Sequence, residues 1–233
     1  MKKWYLLLLM LAACFGVQAL NLSELKTMYV IGSDENPGIA FADYQKKAKK
    51  DCDVDFAIPA GFKEHKVSVV LMYSAQGNHG AEGRGNACET AMLSDDGNCL
   101  IGVRMLYGEK QLMYVDAKKM IAEELAGYNG VTDGAKQKEM DMGKWVTELS
   151  ATASKMVANA DKAYLVDFPD IVPSDKCDWK HCQQLVFEKK DCPTYYVTVL
   201  YTDKGYEQAQ KYLPAAFGVF RYGKQAGAPE FIK

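Results

Sequence analysis

Lys2 and Lys3 open the chain, an almost unbroken apolar run fills residues 4–15, and Gly16-Val17-Gln18-Ala19 closes it on small side chains. A basic start, a short apolar centre and a small residue at the cut are the three parts of an export leader. A permanent bilayer-spanning helix needs roughly 20 apolar residues, and no later run is longer than this one. The pattern therefore predicts a leader over residues 1–19 and a mature chain that works outside the cytoplasm, periplasmic or secreted.

Beyond the leader, residues 21–31 read as a short helical or strand-like stretch, broken over 33–38 by Asp34, Asn36, Pro37 and Gly38. The lysine-rich residues 40–50 fit a helix with a solvated face. Residues 55–58 are strand-like and end in the turn Pro59-Ala60-Gly61-Phe62. Val67, Val69, Leu71 and Tyr73 then alternate with Ser68, Val70 and Met72, and apolar positions on both sides mark a central, covered strand. Residues 88–94 and 99–107 flank Asp95-Asp96-Gly97-Asn98 as a hairpin. In its second arm Ile101, Val103, Met105 and Tyr107 share one face, with Gly102 and Arg104 on the other.

Residues 112–115 predict a short strand, after which Asp116 caps a helix with an apolar stripe of Ala117, Met120, Ile121 and Leu125, stopped by Gly127. A second helix is predicted over 136–160, carrying Trp145, Leu149, Thr152, Ala153 and Met156 at helical spacing, with Gly143 as the point of division. Residues 164–168 return as a strand and 169–182 form a loop. A second hairpin pairs 183–188 with 194–201. Tyr206, Ala209 and Leu213 begin an amphipathic helix that Pro214 must interrupt or restart, and 223–233 is a tail. Antiparallel strands separated by helices give an α+β fold, mainly antiparallel sheet with helices packed on its faces, as a single domain over 20–222.

The 233-residue chain less a nineteen-residue leader leaves 214 residues, and losing Lys2 and Lys3 takes the formal charge from −2 to −4. That balance gives no reason to expect nucleic acid as a partner. Leu11-Ala12-Ala13-Cys14 resembles a lipobox, in which acylated Cys14 would become the new N-terminus and fix the chain to the cell envelope; an apolar continuation through Leu20 weighs against it. Membrane contact is expected only through such an anchor.

Cys14 is lost or lipidated in either case, leaving Cys52, Cys88, Cys99, Cys177, Cys182 and Cys192. An even number of exported cysteines reads as up to three disulfides, since nothing outside the cytoplasm keeps thiols reduced. Cys88 with Cys99 is excluded by register: Ser94 faces Cys99 across the turn, and Cys88 lies about 20 Å further along at ~3.3 Å per residue, beyond the roughly 7 Å reach of a disulfide. Cys177, Cys182 and Cys192 are expected to cluster, with one of them reaching Cys52 or Cys88.

Candidate chemistry centres on residues 77–86, where four glycines hold His79, Glu82 and Arg84 between two strands. Glycine lets backbone approach a ligand closely, while the three side chains offer a base, an acid and an anion anchor. The other reading is a solvated hairpin loop. Asp51, Asp53 and Asp55 have the spacing of the first calcium-loop ligands, yet Phe56 stands where glycine is needed and Phe62 where the bidentate glutamate belongs. A protected sheet edge is the expectation there. Cys177, His181, Cys182 and Cys192 offer a zinc-like donor set, although export favours disulfides. His65, His79 and His181 are scattered, and the sequence contains no Gly-x-Ser-x-Gly, His-Glu-x-x-His or Cys-x-x-Cys motif. No cofactor and no metal are expected.

The segment Asp55-Phe56-Ala57-Ile58-Pro59-Ala60-Gly61-Phe62, followed by antiparallel strands, a helix and a final strand pair running into a C-terminal helix, resembles the element order of PsbP-like proteins. The resemblance implies an exported α/β/α sandwich with an accessory or binding role, and carries over no functional residue. The resulting expectation is an exported cell-envelope binding or accessory module without catalytic activity, its partner an envelope protein or a small ligand. The alternative is an envelope hydrolase using His79 and Glu82.

Overall fold

Thr194–Tyr201, whose β-branched and aromatic side chains favour a pleated, covered surface, is buried along its whole length. In the computed structural model, which describes residues 28–37, 39–65, 67–73, 85–106, 116–128, 141–168 and 179–224, it is the central strand of the largest sheet. In chain order the elements are β1 (Met28–Pro37), α1 (Phe41–Cys52), β2 (Val54–Phe56), β3 (Phe62–His65), β4 (Val67–Tyr73), β5 (Gly85–Cys88), β6 (Thr90–Ser94) and β7 (Cys99–Leu106). There follow α2 (Ala117–Tyr128), a 3-10 turn (Met142–Lys144), β8 (Val146–Glu148), α3 (Ala151–Ala158), β9 (Lys162–Asp167), β10 (His181–Glu188), β11 (Thr194–Tyr201), α4 (Asp203–Tyr206), α5 (Ala209–Phe217) and β12 (Phe220–Tyr222).

The seven-stranded sheet has the order β3-β6-β7-β11-β10-β9-β8, and β12-β2 and β1-β4-β5 form two smaller sheets. Every described pairing is antiparallel. The fold is α+β, as the hydropathy pattern implies. β4 is the middle strand of its sheet, in agreement with its two apolar rows. The arms β3–β4 and β5–β6 form one long hairpin that changes sheets at Glu89, whose amide donates to the Val103 carbonyl and whose carbonyl accepts from Ile39.

Two cores lie on the two faces of the large sheet. On the first, Tyr195, Val197, Val199 and Tyr201 meet Phe41, Tyr44, Ala48 and Cys52 of α1, Tyr212, Leu213, Ala216 and Phe217 of α5, and the β2–β12 ribbon. Aromatic rings fill its centre: Tyr195 and Phe220 are 4.4 Å apart, Phe220 and Tyr222 4.7 Å, and Tyr44 and Phe56 5.0 Å. On the second face Ala117, Ile121 and Leu125 of α2 cover Leu100, Tyr164, Val166, Val186, Tyr196 and Leu200.

Local chemistry fixes the element ends. Ala40 supplies no side-chain cap to α1; instead Glu64 of β3 accepts from the Phe41 amide at 2.8 Å, so a carboxylate from another element serves the positive helix end. Asp53 ends α1 in the left-handed region at φ 49°. Asp116 caps α2 through the Lys119 amide and Ser150 caps α3 through Ala153. At the β6–β7 turn Asp96 accepts from Ser94 and from Tyr212 of α5. The Tyr212 hydroxyl above all holds this carboxylate well below its ordinary range.

Three expectations need correction. β1 continues to Pro37, because the 33–37 stretch is absorbed as an irregularity in its pairing with β4. The predicted 136–160 helix becomes, over its described part, the 3-10 turn, β8 and α3. Trp145 packs on the second face while Leu149 packs on the first, so the 3.6-residue spacing does not describe one helical stripe, and Thr152 and Met156 are exposed. Pro214 lies inside α5. Its ring deprives the Gln210 carbonyl of an amide donor, and Gln210 sits at an exposed position where water can serve that carbonyl. The predicted strand at 112–115 lies outside the described residues.

Candidate functional site

Strand alternation sends Arg104, Tyr196, Val186 and Tyr164 across the second face in one row, as the pairings Arg104–Tyr196, Tyr196–Val186 and Val186–Tyr164 show. The adjacent row is Gly102, Thr198, Gln184 and Val166. The glycine is a steric requirement: a Cβ at position 102 would stand 2.4 Å from the Cys88 sulfur. Cys88 therefore lies directly over the sheet, hydrogen-bonded to Thr198, and burial raises its thiol pKa to about 12 despite the Arg104 charge nearby.

Glu124 is the polar member of the buried face of α2. It takes a 2.9 Å salt bridge from Arg104, with side-chain exposures of 5% and 13%; both values place the pair out of bulk solvent, where its geometry decides its worth. Arg104 also lies 4.6 Å from the centre of the Tyr196 ring, a cation–π arrangement. Glu89 is directed to the first face, accepting from the Met105 amide and hydrogen-bonded to Tyr44 of α1; burial first of all raises its pKa. Gln184 donates to Thr198 at 3.1 Å, while its Oε1 makes no hydrogen bond among the described residues, nor does Oε1 of Glu188. Both side chains are at least 97% buried. Leaving a buried acceptor unserved costs about 1–3 kcal/mol.

A second polar chain runs along the end of the first face. Gln183 donates to Asp167 at 2.6 Å and accepts from the Tyr201 hydroxyl at 2.9 Å. Tyr201 meets Tyr206 edge-on, and Tyr206 stacks on His181 at 4.2 Å and 15°. His181 Nε2 is 3.0 Å from Asp203, which also pairs with Lys180.

His79, Glu82 and Arg84 lie outside the described residues, as do Cys14 and Cys177; the flanking strands β4 and β5 pair antiparallel. The calcium-like triplet is engaged differently: the Lys49 ammonium sits 2.5 Å from Asp53 and 2.8 Å from Asp55. Asp53 is a helix cap and Asp55 lies within the β2–β12 ribbon, so the expected run along one sheet edge is not formed. The zinc reading fails on alternation, because His181 turns to Asp203 and Tyr206 while Cys182 packs into the second face.

No disulfide joins the described cysteines Cys52, Cys88, Cys99, Cys182 and Cys192. Cys99 and Cys88 occupy opposite faces, in agreement with their exclusion by register. Cys182 and Cys192 do not cluster: they belong to opposite faces, at opposite ends of β10. Sequence reading missed Arg104, Glu124, Gln184, Glu188 and Asp167 as a set. The available signal was Gln183, Gln184 and Glu188 within a strand otherwise built for an interior.

The arrangement supplies hydrogen-bond acceptors, one guanidinium and aromatic faces, which suit binding of a polar molecule. No family model matches the chain, and no curated protein matches it.

Two measurements follow from this geometry. Arg104→Met should destabilise the protein by about 3 kcal/mol in urea unfolding, because Glu124 loses its buried partner, and Arg104→Met with Glu124→Leu should recover most of that loss. Burial raises the pKa of Asp167, against the opposing hydrogen bond from Gln183. The protonated side chain is thus the stabilising form, and its contribution is lost as pH rises from the ordinary carboxylate range through the raised value. Asp167→Asn, which keeps the acceptor, should unfold at a higher temperature than wild type at pH 7, and the difference should close below about pH 4.

Proposed function

We propose that this chain is an exported cell-envelope module that binds a small polar ligand on the second face of its large sheet and has no catalytic role of its own. The observation that carries the reading is the pair of buried acceptors, Gln184 Oε1 and Glu188 Oε1, left without hydrogen bonds among the described residues. A ligand bearing hydroxyl or ammonium donors would satisfy them, with Arg104, Tyr164 and Tyr196 on the same row of the face providing charge and flat surfaces. The leader-like residues 1–19 and the resemblance to PsbP-like accessory proteins support the location and the role. Among the described residues, no helix is long and apolar enough to cross a membrane.

Intact mass of the protein recovered from its cells tests the address: the expected chain starts at Leu20 or at an acylated Cys14, and a chain retaining residues 1–19 overturns it. Binding is tested by thermal unfolding with a panel of polyols, sugars and linear polyamines. At least one should raise the Tm of the wild type by about 5 °C when present at ~100 times its Kd, and Gln184→Leu should remove that rise. If no member moves the wild-type Tm and Gln184→Leu is merely more stable, the face is structural. Hydrolytic turnover abolished by His79→Ala would instead identify an enzyme.

A further inference from the structure

Cys52 is the last residue of α1 and belongs to its buried stripe with Phe41, Tyr44 and Ala48. The chain then turns through Asp53 into β2, where Val54 pairs with Tyr222 of β12. The Tyr222 hydroxyl donates to the carbonyl of Phe187 at 3.0 Å and to that of Pro193 at 2.7 Å, so this tyrosine clamps the β10–β11 turn against the end of α1. Within that turn Asp191 adopts φ 58°, and the following Cys192 is directed into the core, its amide bonded to Lys189. Both cysteines are 2% exposed and lie in the same apolar cluster.

We infer that Cys52 and Cys192 are a disulfide pair that ties the end of α1 to the β10–β11 turn. The other described cysteines are placed elsewhere. Cys88 and Cys182 lie on the opposite face. Cys99 shares the face but pairs with Tyr201, at the far end of β11 from the Cys192 turn. Electrostatics agree with the proximity: ionising Cys52 would raise the Cys192 pKa, and both thiols contribute to raising that of Tyr222, whose own burial is the main cause.

The bond forms by exchange with an external disulfide such as oxidised glutathione. One cysteine sulfur attacks it, the second displaces glutathione from the mixed disulfide, the Sγ–Sγ bond forms, and two electrons and two protons leave on two glutathione thiols. Burial holds Cys192 at about 12, which starves the native state of thiolate. Oxidation therefore belongs to the folding chain, before α1 docks.

Tryptic cleavage isolates Cys52 in residues 51–63 and Cys192 in residues 191–204, with no other cysteine in either fragment. The full-length chain is reduced, unfolded and refolded in a glutathione redox buffer, or held in that buffer at the midpoint of its urea transition, then alkylated and digested without reduction. The two fragments should be recovered as one mass that separates on reduction. Reduction should lower the Tm by about 10 °C, as expected for a bond closing a long loop, and Cys52→Ser or Cys192→Ser should remove that sensitivity. Recovery of both fragments alkylated, or of either linked to another cysteine, overturns the pairing. The readout involves neither ligand nor cellular address, so its failure leaves the binding proposal to be judged separately.

Discussion

Burial of β11 on both faces is the constraint from which the rest of the fold follows. A strand whose eight residues are all withdrawn from water must have neighbours on both edges and layers above and below. β7 and β10 supply the edges. Tyr195, Val197, Val199 and Tyr201 then demand cover on one side, and Tyr196, Thr198 and Leu200 on the other, because the side-chain period of a strand leaves no third direction. Helices α1 and α5 with the β2–β12 ribbon meet the first demand, and α2 meets the second.

The two sides solve the problem with different chemistry. On the first, tilted and edge-on aromatic rings surround Phe220, and hydroxyl tips are tied to backbone or to a side chain at the rim, as when Tyr222 reaches Phe187 and Pro193 and Tyr201 reaches Gln183. That side behaves as a core. On the second, an arginine, two glutamates, a glutamine and two tyrosines lie among the aliphatics, and Gly102 gives up its own side chain to seat Cys88. Well-packed apolar residues would hold α2 to the sheet without the desolvation that an ion pair carries. The asymmetry is the physical reason for placing the candidate site there.

How much of this was legible depends on the range over which each signal acts. The hairpin around Asp96-Gly97, the Asp116 cap and the strand character of 67–73 are local patterns, and they appear in the structure where they were read. The 136–160 stretch misled because Trp145, Leu149 and Met156 keep helical spacing by coincidence: β8 belongs to the edge beside β9, a partner far enough away that its backbone bonds have no local signature. Pro214 misled in the other direction, since one missing amide is tolerable inside a helix that buries Tyr212, Leu213, Ala216 and Phe217. The Arg104–Glu124 pair joins elements twenty residues apart, and neither residue alone differs from an ordinary surface charge. Only the interior pattern of β10 hinted that its glutamines and Glu188 would be buried.

Two half-buried carboxylates make the stability of the fold depend on pH. Glu89 and Asp167 both have pKa values raised chiefly by burial, so each disfavours the folded state more as pH rises toward neutrality. An amide at either position would keep an acceptor and shed the penalty. Asp167 is moreover the end of a chain through Gln183 to Tyr201, so its charge polarises groups that reach into the sheet interior. On the proposed reading, a separate cost lies with the unserved oxygens of Gln184 and Glu188: a ligand that offers them donors would offset it only when bound, and the folded state would then be coupled to occupancy.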